Sequence, residues 1–424
     1  MRRVGRCIDP AAISRACPRP TQKDSELKIA ERFNVIDVDT HIIEPPDLWT
    51  SRVSKKWGDL VPHVRLDSRN VERWYMGAER LPAAGSVAQA GWKDFPPSFP
   101  PTLAEADPAA WKAADRLKRM DQYGLYAQVL YPNLLGFQCE SFMRMADRDL
   151  GLECVSAYND FLVDFCSIDT ERLIPVMWLP FWDLEASVRE VHRAAKLGHR
   201  GVIFGSDFSA VQLPTVGDSH WDPLLAAIQE CDLTLNFHIG FAAKSTEEQR
   251  QYQKKVANEK HTFVKESTLL FMGNARAIAD VVLSGVCDRF PGLNFVSVES
   301  GASWLPFLVE SLDWQWKNSG AGATFPDRLL PSEYFRRQVY GSFWFESSLL
   351  KQTIALFPDN IMFETDFPHP TSLSPGPAST SGIPSEVIEQ NLGGVPDDVL
   401  TKVLHGNAAR LYHLNSPALR AGAQ

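Results

Sequence analysis

The sequence predicts an α/β protein that forms an eight-stranded (β/α)8 TIM barrel, and two features of the chain support this. Eight short, largely apolar segments alternate with helical segments between residues 34 and 411, a pattern typical of parallel strands joined by helices. Eight such units are the number that closes a barrel. The chain also lacks the G-x-G-x-x-G turn that an open, doubly wound sheet usually carries after an early strand.

The predicted strands are rich in β-branched and aromatic residues and end in polar residues or glycine. In chain order they cover residues 34–41, 127–131, 173–178, 201–204, 233–238, 294–299, 342–346 and 361–366. The predicted helices cover residues 114–124, 145–168, 184–197, 222–231, 274–289, 396–405 and 408–411. Gly198 closes one of these helices, and Pro223 lies at an early helical position, where its missing N–H costs nothing.

The chain of 424 residues is longer than a minimal barrel needs. We expect residues 1–30, which are Arg-rich and contain no apolar core of a secretory signal, to form a disordered extension. The barrel domain then covers residues 31–415, and residues 416–424 form a tail. The surplus length follows strands 1, 5 and 8 as insertions, at residues 45–110, 241–273 and 367–393. Insertions at these places lie on the catalytic face of a barrel.

Composition excludes several classes of function. The net charge is −9 and no basic stripe is present, which argues against nucleic acid as a partner. No apolar run reaches the ~20 residues of a membrane span. The seven cysteines include no C-x-x-C pair, so reduced thiols in a cytoplasmic protein are expected. These observations argue against nucleic acid and a membrane as partners.

Polar residues that can bind metal stand at the carboxyl ends of four predicted strands. They are Asp39 and His41 on strand 1, His238 on strand 5, Glu299 on strand 6 and Asp366 on strand 8. In a barrel these ends meet at one mouth, so residues far apart in the chain can bind one ion. Imidazole and carboxylate ligands suit Zn, Mn, Fe or Co, and a catalytic site leaves one coordination position open. The sequence therefore predicts a shared metal site.

Four segments and the C-terminus resemble the amidohydrolase-related family of the amidohydrolase superfamily. The segments are V-I-D-V-D-T-H-I-I-E-P-P, N-F-H-I-G, V-E-S-G-A-S-W-L-P, E-T-D-F-P-H-P and the closing H-G-N-A-A-R-L-Y. That family includes aminocarboxymuconate semialdehyde decarboxylase and γ-resorcylate decarboxylase. The resemblance implies that Asp39, His41, His238 and Asp366 bind the metal, and that Asp366 also moves a proton. It further implies a homodimer.

One position departs from the decarboxylases of this family, whose sixth strand usually ends in a histidine. Glu299 stands there, so it is expected to be a base or an additional metal ligand, and one or two divalent ions per chain stay possible. Zn is the first expectation for the metal, with Mn or Fe as alternatives. His369 is a candidate proton donor or an orienting group, and Glu44 either supports His41 or pairs with a basic residue.

Three kinds of function follow from this site. The first is a metal-dependent hydrolase that cleaves an amide, ester or C–C bond of a small cyclic or aromatic substrate with metal-activated water, using Asp366, Glu299 and His369 as catalytic residues. The second is a non-oxidative decarboxylase of an aromatic or unsaturated acid, which Glu299 disfavours because two anions repel. A non-catalytic scaffold barrel or an iron-dependent oxygenase is the third.

Overall fold

A computed structural model describes residues 27–242 and 260–420 of the chain. Its main feature is a sheet of eight parallel strands, nearly closed into a barrel with helices outside it, which confirms the predicted fold. In the order in which they lie side by side, these strands are β1 Val35–Ile42, β5 Leu125–Pro132, β6 Leu173–Met177, β7 Gly201–Asp207, β8 Thr234–Ala242, β9 Asn294–Val298, β10 Val339–Phe343 and β11 Ile361–Phe363. Three further strands, β2 His63–Leu66, β3 Glu72–Met76 and β4 Glu79–Ala83, form a separate sheet.

Helices surround the sheet and connect its strands. Among the described residues, the helices that precede residue 272 are α1 Ile29–Arg32, α2 Leu48–Arg52, α3 Ala113–Tyr123, α4 Leu134–Phe137, α5 Cys139–Met143, α6 Arg148–Cys166, α7 Leu184–Leu197, α8 Asp222–Glu230 and α9 Lys260–Phe271. The others are α10 Ala275–Leu283, α11 Val286–Arg289, α12 Leu305–Asn318, α13 Ala321–Thr324, α14 Pro331–Gln338, α15 Leu350–Leu356, α16 Pro384–Leu392, α17 Asp397–Thr401 and α18 Asn407–Leu411. Within the described residues, none of them is both long and apolar enough to span a bilayer.

The barrel strands are buried on both faces, because helices cover the outer face and side chains fill the interior. All eight residues of β1 are buried, although Asp37, Asp39, Thr40 and His41 among them are polar. Polar residues buried at this depth need hydrogen bonds or a bound ion. Their presence inside a strand therefore marks β1 as part of a site rather than of the apolar core alone.

The sheet closes between β1 and β11, its first and last strands, through few backbone contacts. Asp366 donates its N–H to the carbonyl oxygen of Asp39 (2.9 Å), and His41 donates its N–H to that of Phe367 (2.7 Å). A single parallel bridge pairs Thr40 with Phe367. This closure, which we call the β1–β11 seam, lies beside the carboxyl ends of both strands.

Several predicted elements differ in extent from the structure; β11, for example, ends at Phe363 rather than at Asp366, and β8 extends to Ala242. The seventh strand is β10, three residues earlier than predicted, because Val339 and Tyr340 pair with β9 while Glu346 turns away and accepts N–H groups of the β9–α12 loop. The single helix predicted at 274–289 is two helices, α10 and α11. They meet at Gly285, whose φ of +84° is left-handed and interrupts the helical path.

The insertion at residues 45–110 contains regular structure that the sequence pattern did not predict. It carries α2 and an antiparallel three-stranded sheet, formed by β2 His63–Leu66, β3 Glu72–Met76 and β4 Glu79–Ala83. These strands are only four or five residues long, too short for a periodic pattern to stand out. Of the expected N-terminal extension, residues 1–26 lie outside the described residues, and Ile29 and Ala30 belong to α1.

The aromatic cluster behind β7 offers a test of core stability. Phe204 is buried and lies 5.2–5.3 Å, between ring centroids, from Phe181, Phe208 and Trp221. We expect Phe204→Ala to lower the free energy of unfolding by about 3–5 kcal/mol, because it removes a large side chain from a packed core. Urea denaturation measures this. Phe307→Ala is the control, since that ring is 77% exposed; an equal loss in both variants would contradict the prediction.

Candidate metal centre

The barrel brings together all five residues that the sequence analysis placed at strand ends. Asp39 and His41 are two residues apart on β1 and therefore project to the same side of the strand. His238 lies in β8, Glu299 directly follows β9, and Asp366 lies three residues beyond β11. All five side chains are buried.

Two of these residues adopt backbone conformations that are unusual for residues other than glycine. Glu299 has a φ of +51° and Asp366 a φ of +60°, both in the left-handed region. Such conformations cost free energy and persist where the surrounding structure enforces them, most often at functional sites. Both turns lie where the strands end, so the chain leaves the sheet with a carboxylate at the barrel mouth.

The side-chain atoms of the cluster converge within a few ångströms. His41 Nε2 lies 2.9 Å from His238 Nε2, and Asp39 Oδ1 lies 3.6 Å from the first nitrogen and 3.5 Å from the second. Glu299 Oε2 is 3.4 Å from His238 Nε2, and Asp366 Oδ1 is 3.9 Å from His41 Nε2. These atoms surround one small volume at the mouth of the barrel.

The hydrogen bonds of the two imidazoles show that this arrangement fits a cation. His41 Nδ1 donates to the carbonyl oxygen of Pro132 (3.1 Å), and His238 Nδ1 donates to that of Ile239 (2.6 Å). A neutral imidazole that donates from Nδ1 carries a lone pair on Nε2. When both imidazoles are neutral, two lone pairs therefore face each other, and neither Asp39 oxygen accepts a hydrogen bond from the described residues. A divalent metal ion satisfies all of these groups at once.

His369 extends the cluster on the side of Asp366. Its ring stacks on that of His41 with centroids 3.9 Å apart, its Nδ1 lies 2.5 Å from Asp366 Oδ1, and its Nε2 lies 3.3 Å from Asn133 Oδ1. The described residues thus offer two overlapping sets of ligands, which share His41 and Glu299. The first set is Asp39, His41, His238 and Glu299, and the second is His41, Glu299, Asp366 and His369.

Glu44 is buried near the mouth but does not belong to either set of ligands. Its Oε1 accepts the backbone N–H groups of Asn133 (2.9 Å) and Leu134 (2.8 Å), at the start of α4. Glu44 therefore anchors the segment that carries Phe137, a ring within 5.6 Å of His41 and 5.8 Å of His238, between centroids. This differs from the expected role as a partner of His41 or of a basic residue.

Burial and mutual repulsion perturb the acid–base groups of the cluster. Burial raises the pKa of Glu299 to about 8, and burial together with neighbouring carboxylates raises that of Asp366 well above its usual value. Burial lowers the pKa of His238, but the carboxylates of Asp39 and Glu299 outweigh it and raise the pKa to about 9. Burial and the nearby imidazoles hold the pKa of His41 well below its usual value. Without a metal ion, bound protons thus neutralise part of the negative charge of the cluster. A metal ion would displace these protons.

A cavity of about 410 Å³ opens above the cluster. Its lining is mostly apolar, and it includes Trp74, Phe99, Phe137 and Phe271 together with Glu299 and His369. No lysine or arginine is among the described residues that line it. Most of these aromatic residues lie in the insertions and in short helices, where the sequence shows no pattern that predicts a pocket.

Comparisons with known proteins agree with this architecture. A family profile described as amidohydrolase matches residues 36–414, whereas no curated protein gives a match. An amidohydrolase from Mycobacterium avium subsp. paratuberculosis K-10 shares 21% identity, with 90% of this chain and 99% of that chain covered and a TM-score of 0.70.

Two decarboxylases of known structure are also similar. The 5-carboxyvanillate decarboxylase from Sphingomonas paucimobilis is 21% identical over 90% of this chain and 99% of its own, with a TM-score of 0.59. A dihydroxybenzoic acid decarboxylase from Polaromonas sp. JS666, solved with manganese and the inhibitor 2-nitroresorcinol, is 18% identical over 91% of this chain and 98% of its own, with a TM-score of 0.58. At these identities the likeness shows a shared fold.

Proposed function

We propose that this chain, which belongs to the amidohydrolase family, is a metal-dependent hydrolase. Its substrate would be a small, uncharged cyclic or aromatic molecule. The observation that carries this proposal is the position of a buried His/carboxylate cluster at the floor of a largely apolar cavity. The scissile bond would be an ester, an amide or a C–C bond next to a carbonyl group. Zn is the metal we propose first, with Mn or Fe as alternatives.

Asp39, His41 and His238 would hold the metal, together with Glu299 or Asp366. When bound, the metal acts as a Lewis acid that polarises the substrate carbonyl and lowers the pKa of water. The Nδ1 hydrogen bonds to the carbonyls of Pro132 and Ile239 orient the two imidazoles for this role. Such support from carbonyl groups fixes the tautomer in which Nε2 is the ligand.

Asp366 is the residue that we assign to proton transfer. Its carboxyl group is buried, has a raised pKa and lies against His369, so it can accept a proton from the attacking water and return it to the leaving group. The raised pKa of Glu299 makes it the alternative base. The ring of His369, which stacks on that of His41, lies against the Asp366 carboxylate and would restrict its rotation away from the cluster.

The charge of the cavity favours hydrolysis over decarboxylation. The substrate of a decarboxylase is an anion, and in this cavity it would lie close to the carboxylates of Asp39, Glu299 and Asp366. The described residues that line the cavity include no lysine or arginine that could pair with it. Like charges repel strongly in a buried site. Decarboxylation is the second candidate, and the fold that the chain shares with two decarboxylases supports it.

A matched pair of substrate panels tests the proposal. The first contains uncharged aryl esters, amides and lactones, and the second contains the corresponding free aromatic acids. We expect metal-dependent turnover, measured as the release of protons, only with the uncharged panel. Turnover of the free acids with release of CO₂ would establish the carboxy-lyase instead. A protein without stoichiometric metal and without turnover of either panel would favour a scaffold role.

The number of bound ions depends on Glu299, which belongs to both ligand sets. If the wild-type protein binds two ions, we expect Glu299→Gln to reduce the metal content at saturation from two equivalents towards one, because the remaining Asp39, His41 and His238 suffice for one ion. Plasma mass spectrometry measures this ratio. Glu346→Gln is the matched control, since that buried carboxylate lies outside both ligand sets and accepts the backbone N–H groups of Ala302, Ser303 and Trp344. An unchanged ratio in the Glu299 variant would assign Glu299 to proton transfer or substrate binding.

A further inference from the structure

A buried carboxylate outside both ligand sets spans the β1–β11 seam. Asp37 Oδ1 accepts the backbone N–H of Thr365 (2.9 Å), and Asp37 Oδ2 accepts the Thr365 hydroxyl (2.6 Å). Thr365 directly precedes Asp366, and Asp37 lies two and four residues before Asp39 and His41 on β1. The side chain thus joins the first strand to the last at the point where the backbone contributes few hydrogen bonds.

The Asp37 carboxylate also takes part in a second chain of contacts, which leads to His41. Gln128 on β5 donates its Nε2 to Asp37 Oδ2 (3.0 Å), and its Oε1 accepts from Arg116 Nη1 (3.3 Å). Arg116, fully buried on α3, donates its Nη2 to the carbonyl oxygen of His41 (2.5 Å) and lies over the ring of Phe367 at 4.6 Å. The contacts through Arg116, Gln128 and Asp37 therefore connect the backbone of His41 with Thr365, the residue that precedes Asp366.

The direction of these hydrogen bonds is fixed by chemistry. A guanidinium group only donates, so Gln128 must present its oxygen to Arg116 and its NH₂ group to Asp37. Asp37 therefore faces N–H groups from Gln128 and Thr365, which only an acceptor can satisfy. Burial raises the pKa of Asp37 to about 7, and the hydrogen bonds from Thr365 and Gln128 oppose that rise.

We propose that Asp37, supported by Gln128 and Arg116, is a positioning residue that holds His41 and Asp366 at the separation required to bind metal. This inference rests on the metal centre of the proposed function. Its physical basis is that His41 lies on β1 and Asp366 just beyond β11, and that few backbone hydrogen bonds connect these two segments across the seam. Without the Asp37 contacts, β1 and β11 can move relative to each other, and a metal site tolerates little displacement of its ligands.

Asp37→Asn tests this role while keeping the size of the side chain. Its NH₂ group faces donors, so at least one contact with Thr365 or Gln128 is lost. We expect the affinity for Mn²⁺, measured by competition with a chelator, to fall about 10–100-fold, as for other groups that orient metal ligands. The visible absorption bands of the Co²⁺-loaded protein should also shift, because they report ligand geometry. Thr365→Val, which replaces the hydroxyl with a methyl group of similar size, should show a smaller change in the same direction.

Asn360→Ala is the control for a purely structural effect. Asn360 is buried directly before β11, where it donates to the carbonyl oxygens of Phe335, Arg336 and Val339. It should lower thermal stability and leave the Mn²⁺ affinity and the Co²⁺ spectrum unchanged.

The outcomes separate this inference from the proposed function. Wild-type protein that binds no metal overturns both. Metal-binding wild-type protein with unchanged affinity and spectrum in the two seam variants overturns the inference alone, as does an Asn360 variant that weakens Mn²⁺ binding equally. If Asp37→Asn does not fold, the Thr365 variant decides, because it keeps the backbone N–H contact with Asp37.

Discussion

His238→Ala is expected to release the bound metal and to lower kcat/KM by about 1,000-fold or more, because Lewis-acid stabilisation is worth several kcal/mol. His238 contributes the Nε2 atom that faces His41 at 2.9 Å and lies beside Asp39 and Glu299. No other described residue of β8 belongs to either ligand set. The barrel should stay folded, because this side chain lies at the mouth rather than in the packed interior.

Metal content, turnover of the substrate identified in the panels and thermal unfolding measure this effect. His199→Ala is the matched control: His199 is equally buried, but its Nε2 contacts the carbonyl oxygen of Asn159, outside the cluster. The control should lose stability and keep metal and turnover. Full turnover and a full metal complement in the His238 variant would show that the cluster is not the metal centre.

Asp366→Asn is expected to lower kcat about 10²–10⁴-fold, the range typical of losing a positioned general base. An amide oxygen can still face a metal ion, but the group can no longer accept and return a proton. The first ligand set, which contains Asp39, His41, His238 and Glu299, stays complete. We therefore expect at least one equivalent of metal to remain and KM to change less than kcat.

Steady-state kinetics and metal analysis together test this assignment. Asp207→Asn is the matched control, since Asp207 ends β7 at the same face of the barrel but is exposed and, among the described residues, accepts only the N–H of Ser209. The control should behave as the wild type. If the kcat of the Asp366 variant equals that of the control, Asp366 does not transfer the proton. Glu299, whose carboxyl also has a raised pKa, would then be assigned this role.

The sequence alone predicted the barrel and the residues of the candidate metal centre. Its strands are short β-branched runs, and polar residues at their carboxyl ends are conspicuous because they interrupt those runs. Asp39, His41 and His238 were recognisable for this reason. Such local patterns depend only on neighbours along the chain, so they can be interpreted without coordinates.

Only the tertiary structure determined how these residues are arranged relative to one another. The stacking of His369 on His41, the two overlapping ligand sets and the apolar lining of the cavity all depend on contacts between distant segments. The same holds for the Asp37–Thr365 contact, which joins residues 328 positions apart. Sequence patterns assign residues to elements, but only the closure of the barrel determines which side chains meet across it, because that depends on strand register and on packing.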